Sequence, residues 1–399
     1  ALDYKFNPLH KISFKGIYNR RSDWENRYRI SYKKLNSKAS KQSVVLQTKA
    51  GSSDQKNARL ELQQTMDYTL DGEHQLGNLK MDWAASYSRA TEERPNERYA
   101  SYKYGKSETE FIDFGDGFQD VGDKQPYYAK SLPSLDDSHW VLDELNNSNQ
   151  DIVENEWKGR LNFTLPLCKG LYGNTLKFGA KYTSKNKKRT TSYFDYDPEE
   201  VLGDDWRSNT SLQIRDGFMP GSQYPANSPF ISISTLGRID FSQYEGTENY
   251  EEEAGNYKIR EQITAGYLRF DQKIGKKLSA TLGLRVERTD LKTSGYNVDI
   301  PEDGDPTMKP TGDIKSHYTD LLPSLLLKYK YSDDGSLRAS ITKTISRPKY
   351  SALIANKTFK TEAGSFIREI FLKAGGEEAA EEMSQQVLSG LAAKATFDK

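Results

Sequence analysis

Residues 59–70 read RLELQQTMDYTL. The even positions are Leu60, Leu62, Gln64, Met66, Tyr68 and Leu70; the odd positions are Arg59, Glu61, Gln63, Thr65, Asp67 and Thr69. All but one of the even set are apolar or aromatic, and none of the odd set is. A period of two belongs to a strand, whose successive side chains leave opposite faces, whereas the 3.6-residue period of a helix would mix the two sets. Residues 278–287, LSATLGLRVE, repeat the pattern, with Leu278, Ala280, Leu282, Leu284 and Val286 set against Ser279, Thr281, Gly283, Arg285 and Glu287.

Outward from these two stretches the same spacing recurs. It is carried by Leu79/Met81/Trp83/Ala85/Tyr87, Trp157/Gly159/Leu161/Phe163/Leu165, Leu176/Phe178/Ala180/Tyr182 and Leu337/Ala339/Ile341/Ile345. Shorter versions lie at Ile12/Phe14/Tyr18, Tyr28/Ile30/Tyr32 and Leu325/Leu327/Tyr329/Tyr331, and the opening residues 1–10 are also strand-like. Composition alone points elsewhere. With 29% charged and 35% hydrophobic residues and a mean hydropathy of −0.83, the chain has the profile of disorder. The alternation excludes that and makes this an all-β protein.

The 399 residues carry 57 Lys+Arg against 57 Asp+Glu, which removes the basic balance expected of a nucleic-acid binder. No run of about 20 apolar residues is present, so helical membrane spans are excluded. The single cysteine, Cys168, rules out an internal disulfide framework, and the four scattered histidines, His10, His74, His139 and His317, argue against a metal cluster.

The connections say which kind of β protein this is. The spacing predicts strands at 11–19, 26–35, 58–70, 76–89, 156–167, 174–185, 257–274, 278–292, 317–331 and 336–347. Tight turns are expected at 71–73, 168–174, 275–277 and 332–335, and long links at 36–57, 90–155, 186–256 and 293–316. Short and long links alternate. Structureless loops of that size do not suit a compact soluble domain; a transmembrane β-barrel has short turns on one side and long extracellular loops on the other. The clean alternations run for about 9–12 residues, the length a tilted strand needs to cross a bilayer core. Of the aromatics, 25 are Tyr against 16 Phe and 5 Trp, a bias toward rings with a polar tip that suits an interface between oil and water.

Three segments carry a resemblance. Residues 14–28 (FKGIYNRRSDWENRY), 72–99 (GEHQLGNLKMDWAASYSRATEERPNERY) and 337–353 (LRASITKTISRPKYSAL) resemble, in this order, the barrel of TonB-dependent outer-membrane receptors of the Bacteroidetes type. The resemblance spans residues 1–354 and implies a non-enzymatic importer in the bacterial outer membrane. Its partners would be membrane lipid and lipopolysaccharide, the TonB system, and a scarce ligand such as an iron chelate, cobalamin or a glycan. Receptors of this type have about 22 strands around a plug, and TonB acts through that plug. Only about ten strands and no plug are read here, so the chain is expected to be a partial barrel. Beyond residue 354 the pattern stops. Residues 365–394, rich in Glu and Ala with apolar residues at near-helical spacing, predict an α-helical tail over 355–399, broken at Gly375 and Gly376.

No catalytic constellation stands out, and no cofactor is expected. Asp113, Asp116, Asp120 and Asp123 could hold calcium, but their spacing is not that of an EF-hand, and solvated loop acids are the simpler reading. The same holds for the acids at 195–205 and 248–253. His139 and Trp140 beside Asp136 and Asp137 lack a nucleophile. Arg94 with Pro95 and Arg347 with Pro348 read as strand terminators near water or lipopolysaccharide phosphate. The loop aromatics Tyr99, Tyr102, Tyr104, Phe114, Phe118, Tyr127, Tyr128 and Trp140 are candidates for stacking on a ligand, or for packing the loop against itself. The alternatives to an importer are a plug-free porin or structural barrel, and a soluble β-rich carbohydrate-binding protein.

Overall fold

A computed structural model describes residues 1–33, 43–104, 118–119, 128–129, 134–136, 138–170, 172–211, 229–300, 306–348, 350–353 and 357–360. Its core is one antiparallel sheet. The strands are β1 (Leu2–Asn7), β2 (His10–Glu25), β3 (Arg27–Lys33), β4 (Ser43–Ala50), β5 (Arg59–Leu76), β6 (Leu79–Tyr104), β7 (Trp140–Cys168), β8 (Asn174–Asp195), β9 (Tyr257–Ile274), β10 (Leu278–Ser294), β11 (Ile314–Lys330) and β12 (Ser336–Thr342). The pairing path runs β1-β2-β5-β6-β7-β8-β9-β10-β11-β12, with each strand next to its chain neighbour on that path. The β3–β4 hairpin extends β2 and β5 upward, and β4 pairs with the upper part of β6. Among the described residues no pairing joins β1 to β12.

Register places the apolar stripes in continuous rows. His74, Met81, Phe163, Phe178, Leu268, Leu284 and Pro323 are successive cross-strand partners, as are Gly72, Trp83, Leu161, Ala180, Gly266, Val286 and Leu321. Directly opposed residues share a face, so the stripes form one band. That band is exposed: Leu268 is 52%, Leu282 54% and Trp157 58% accessible. Large apolar side chains left bare on one face across the sheet mark contact with another phase. The opposite face is cross-linked by polar contacts: Asn162 donates to Asp82 at 2.8 Å and accepts from Tyr267 at 3.0 Å, Thr281 donates to Asp271 at 2.7 Å, and Lys185 meets Glu154 at 2.8 Å.

The upper edge of the band does not follow one register row. It passes from Tyr87 and Trp157, whose rings lie 4.6 Å apart, down to Tyr182 and then to Val286, while Ser184, Gln262, Asp290 and His317 continue the Tyr87 row as polar residues. Strands tilted against a flat slab produce this drift. Tyr329, Tyr331 and Tyr172 are exposed at the short-turn end, so aromatics flank the band on both sides.

Several sequence expectations need correction. The segment read as a strand at 26–35 does not cross with the others; it is β3, stacked above β2, and β1 takes its place in the wall. The turn expected at 71–73 lies instead at Gly77 and Asn78, with Gly77 at φ 64°. Gly72 sits inside β5 because the Trp83 indole lies against it, where a Cβ would come within 2.5 Å of Nε1. Strands β6, β7 and β8 run 26, 29 and 22 residues, so much of the expected loops 90–155 and 186–256 is ladder. Arg94 and Pro95 do not end a strand. They open a β-bulge, with Asn96 at φ 49° and its N–H bound to Asn149 Oδ1 at 2.9 Å, after which pairing resumes at Glu97. Arg347 binds Glu287 at 2.7 Å and Thr289 at 3.2 Å on the polar face. Of the tail expected to be helical from residue 355, Lys357–Lys360 instead form a short strand paired parallel with Tyr296–Ile300, and the helix expected over 365–394 lies outside the described residues.

An Arg at Leu282 or Leu284, near the middle of the band, should cost about 2–4 kcal/mol of membrane-folding stability. Thr281→Arg, on the polar face beside Asp271, should cost much less. Equilibrium unfolding in lipid vesicles checks this; equal sensitivity of the two faces would contradict the assignment.

Candidate functional site

Above the band the same strands meet water, and here the structure builds a core of ordinary soluble type. Val44, Leu46 and Ala50 of β4, Ala100, Tyr102 and Tyr104 of β6, and Trp140, Leu142 and Leu145 of β7 are buried together. They are covered by Trp206, Phe230, Ile231, Leu236 and Phe241 from the connection between β8 and β9. Its described residues include three short α-helices: α1 (Pro198–Leu202), α2 (Ile233–Arg238) and α3 (Tyr250–Glu253). Each starts on a side-chain cap: Asp197 accepts from the Glu199 and Glu200 N–H groups, Ser232 from Ser234, and Asn249 from Glu252. Long-range bonds pin the cover. Thr48 donates to the Ile231 carbonyl at 2.8 Å, Tyr102 donates to the Pro229 carbonyl, and Arg207 donates to the Leu135 and Trp140 carbonyls at 2.9 Å.

The bulge at Asn96 makes this possible. One extra residue reverses the alternation, so the even positions of upper β6 lie on the side where the odd positions Leu79 to Tyr87 lie below. Glu97 and Tyr99 accordingly stay on the polar side with Arg94.

That polar side carries a cavity of about 280 Å³ lined by Arg27, Arg29, Gln47, Arg94, Glu97, Tyr99, Glu144, Ser148, Gln150, Arg189, Thr191, Tyr193 and Glu252. Its wall is an ordered polar network. Buried Lys49 forms an ion pair with buried Glu97 and lies 4.5 Å from the centre of the Tyr99 ring. Burial pulls the Lys49 ammonium below its usual range, against the opposing pull of Glu97. Tyr99 donates to Glu97 at 2.7 Å, and burial, with the Glu97 charge beside it, raises the phenol well above its ordinary value. Glu144 accepts from Gln47 at 3.2 Å and from Asn146 at 3.0 Å; burial still raises its carboxyl. Tyr193 is raised by burial and then by the Glu144 and Asp195 charges. Below, Glu253 is 5% exposed. Burial pushes its carboxyl up to about 7, against the Tyr193 N–H that it accepts at 2.8 Å and with the help of neighbouring Glu248.

The aromatics singled out from the sequence divide. Tyr102 (1% exposed) and Trp140 (2%) belong to the core with Tyr104, and the Tyr102 and Trp140 rings meet edge to face at 5.2 Å. Of the candidates whose side chains are described, Tyr99 alone reaches the cavity. Phe118 and Tyr128 lie on two short paired strands, with side chains outside the described residues; Phe114, Tyr127 and the acids Asp113, Asp116, Asp120 and Asp123 lie outside them altogether. No group of three or more His, Cys, Asp or Glu suited to a metal ion occurs among the described residues. His139 packs 5.6 Å from the Tyr104 ring, a structural position. Sequence reading missed Arg27, Arg29 and Arg189. The signal was available for the first two, which are the polar partners of Tyr28 and Ile30.

Residues 230–366 match the outer membrane protein β-barrel family. Curated proteins give no match. Among solved structures, the chain resembles the ferric-catecholate import receptor Fiu of E. coli K12 in its closed form (9% identity, TM-score 0.43, 86% of this chain and 47% of that one). It also resembles the siderophore receptor PiuA of Acinetobacter baumannii (13% identity, TM-score 0.39, 84% and 42%) and the copper transporter OprC (11% identity, TM-score 0.32, 87% and 44%). The chain spans about half the length of the solved receptors it matches. The family match and the exposed apolar band agree on one location, the outer membrane.

Two outcomes follow for this head. Trp140→Ala should cost about 3–5 kcal/mol, the range for emptying a buried indole site, measured by denaturant unfolding in detergent. Glu253 holds its proton more tightly folded than unfolded. It therefore stabilises fully below its ordinary value of 4.5, and that contribution is lost as pH rises through about 7. The fall in melting temperature between about pH 5 and about pH 8 should shrink in Glu253→Gln; an unchanged slope would contradict the assignment.

Proposed function

We propose that this chain forms part of the barrel wall and external head of a TonB-energised outer-membrane importer of a scarce nutrient. The observation that carries the reading is a division of labour along single strands. Their lower portions present an apolar band to lipid, and their upper portions build a rigid head that holds an ordered polar cavity on the face turned away from lipid. A nonspecific pore needs the first feature and not the second. Binding sites borne by loops and rims on a rigid scaffold are the usual arrangement for recognition. Further support comes from the family match over residues 230–366 and from the resemblance of residues 14–28, 72–99 and 337–353 to receptors of the Bacteroidetes type. TonB would act through a plug, and the nutrient would be a small chelate, a cobalamin-like cofactor or an oligosaccharide.

Cells lacking this protein and cells lacking TonB should lose high-affinity uptake of the same labelled nutrient, and a protonophore should abolish it in wild-type cells. Uptake that survives the protonophore, or steady unselective conductance of the purified protein in planar bilayers, would favour a passive porin and overturn the proposal.

A further inference from the structure

We propose that the cavity between β3, β4, β6, β7 and β8 is a binding site for a small, multiply charged oxyanion, a solute bearing carboxylate or phosphate groups; this deepens the import reading by naming the class of solute. The argument is an imbalance of partners. Most of the acids at the cavity are engaged: Glu97 with Lys49 and Tyr99, and Glu144 with Gln47 and Asn146. Glu252 stands at the exposed rim. Arg94 is likewise engaged, with Glu61 at 2.9 Å and Glu92 at 2.8 Å. The other three arginines are not. The side chains of Arg27 and Arg29 make no hydrogen bond or ion pair among the described residues, Arg29 acting on Glu144 only through its charge, and the Arg189 side chain uses only Nε, in a long 3.4 Å bond to Thr191.

Their direction is fixed rather than free. Tyr28 and Ile30 pack against the core on one side of β3, so the alternation of the strand turns Arg27 and Arg29 to the other, where the cavity is. Arg189 approaches from β8. A guanidinium presents a planar fork of donors that matches carboxylate and phosphate oxygens two at a time. Three such forks with idle donors, converging on one space beside neutral Gln150, Ser148 and Thr191, leave a surplus of positive charge and hydrogen-bond donors. An oxyanion supplies what is missing. The cavity opens on the face opposite the lipid-facing band, so lipopolysaccharide phosphate on the outside of the wall does not reach it.

The test is calorimetric titration of the full chain, folded in detergent, with citrate, glucose 6-phosphate and uncharged glucose. The carboxylate and phosphate probes distinguish the two sources of oxyanion. At least one should bind saturably and with steep dependence on salt, and glucose should not. The double variant Arg27→Gln/Arg29→Gln and, independently, Arg189→Gln should each weaken binding by about tenfold or more. Arg288→Gln, on the opposite face and paired with Asp290 at 2.9 Å, should leave it unchanged. Binding of neither anion, equal binding of glucose, or arginine variants with wild-type affinity would overturn the proposal. The measurement does not involve TonB. Arginine-dependent anion binding with TonB-independent uptake would sink the import reading alone, and TonB-dependent uptake without anion binding would sink this site alone.

Discussion

The hydrogen-bond ladder comes first, because hydrocarbon offers no partner to a backbone N–H or C=O. Each group left unpaired there costs several kcal/mol, so a strand that crosses must be paired along its whole buried length on both sides. Everything else in the lower half of the molecule follows. Full pairing holds neighbouring strands in fixed register, fixed register lines up their alternations, and the aligned alternations give one apolar face and one polar face across the sheet. The polar face is then free to carry Asp82, Asn162, Asp271 and Glu287, which no lipid-exposed position would accept. The same constraint bears on β1 and β12. Their outer edges have no partner on the pairing path among the described residues, and in a bilayer such edges must be paired, with each other or with further strands.

The upper half keeps the ladder and changes the solvent. In water the apolar face must be covered, and the connection between β8 and β9 does this with its own aromatic and aliphatic residues. Tyrosine records the change of surroundings. Tyr87 and Tyr182 sit at the edge of the lipid band, Tyr102 is sealed in the core with its hydroxyl bonded to a carbonyl, and Tyr99 and Tyr193 stand at the cavity with phenols raised by burial. One residue type serves three environments because its ring is apolar and its tip is not.

How much of this was legible beforehand depended on whether the information was local. The two faces of β5 and β10 could be read from spacing alone, because one face meets lipid along the whole span. Turns after β7, β9 and β11 could be read from their Gly, Lys and Asp residues. The turn at Gly77 was misplaced because Asp71, Gly72 and Glu73 have the same composition as a turn, and the reason Gly72 is glycine is Trp83, on the next strand. The continuation of β6 past Pro95 was hidden for a related reason. Proline and a phase reversal look like an ending unless the partner strand is known to absorb the extra residue. The site was least legible of all. Tyr102, Tyr104 and Trp140 look like ligand aromatics in a polar stretch, and only the cover folded back from residues 206–241 makes them interior. Arg27 and Arg29 look like solvated strand residues until β4 and β8 enclose the space in front of them.

The extra residue at Asn96 gives the head an arithmetic of parity. Between Glu97 and Tyr104, identity of face depends on whether a position is an odd or an even number of steps from the bulge. A single inserted or deleted residue would exchange Ala100 and Tyr102 with Ser101 and Lys103, bringing charge into the core and an aromatic ring onto the polar face. A change of two residues would lengthen or shorten the head and leave both faces intact. The second register shift, where Ser101 and Tyr102 face Glu144 and Leu142, shows the other way out, one extra residue, Asp143, on the neighbouring strand. Related heads of different height should therefore differ by even numbers of residues per strand, or by odd numbers matched with a bulge, so that length is inherited here in quanta rather than continuously.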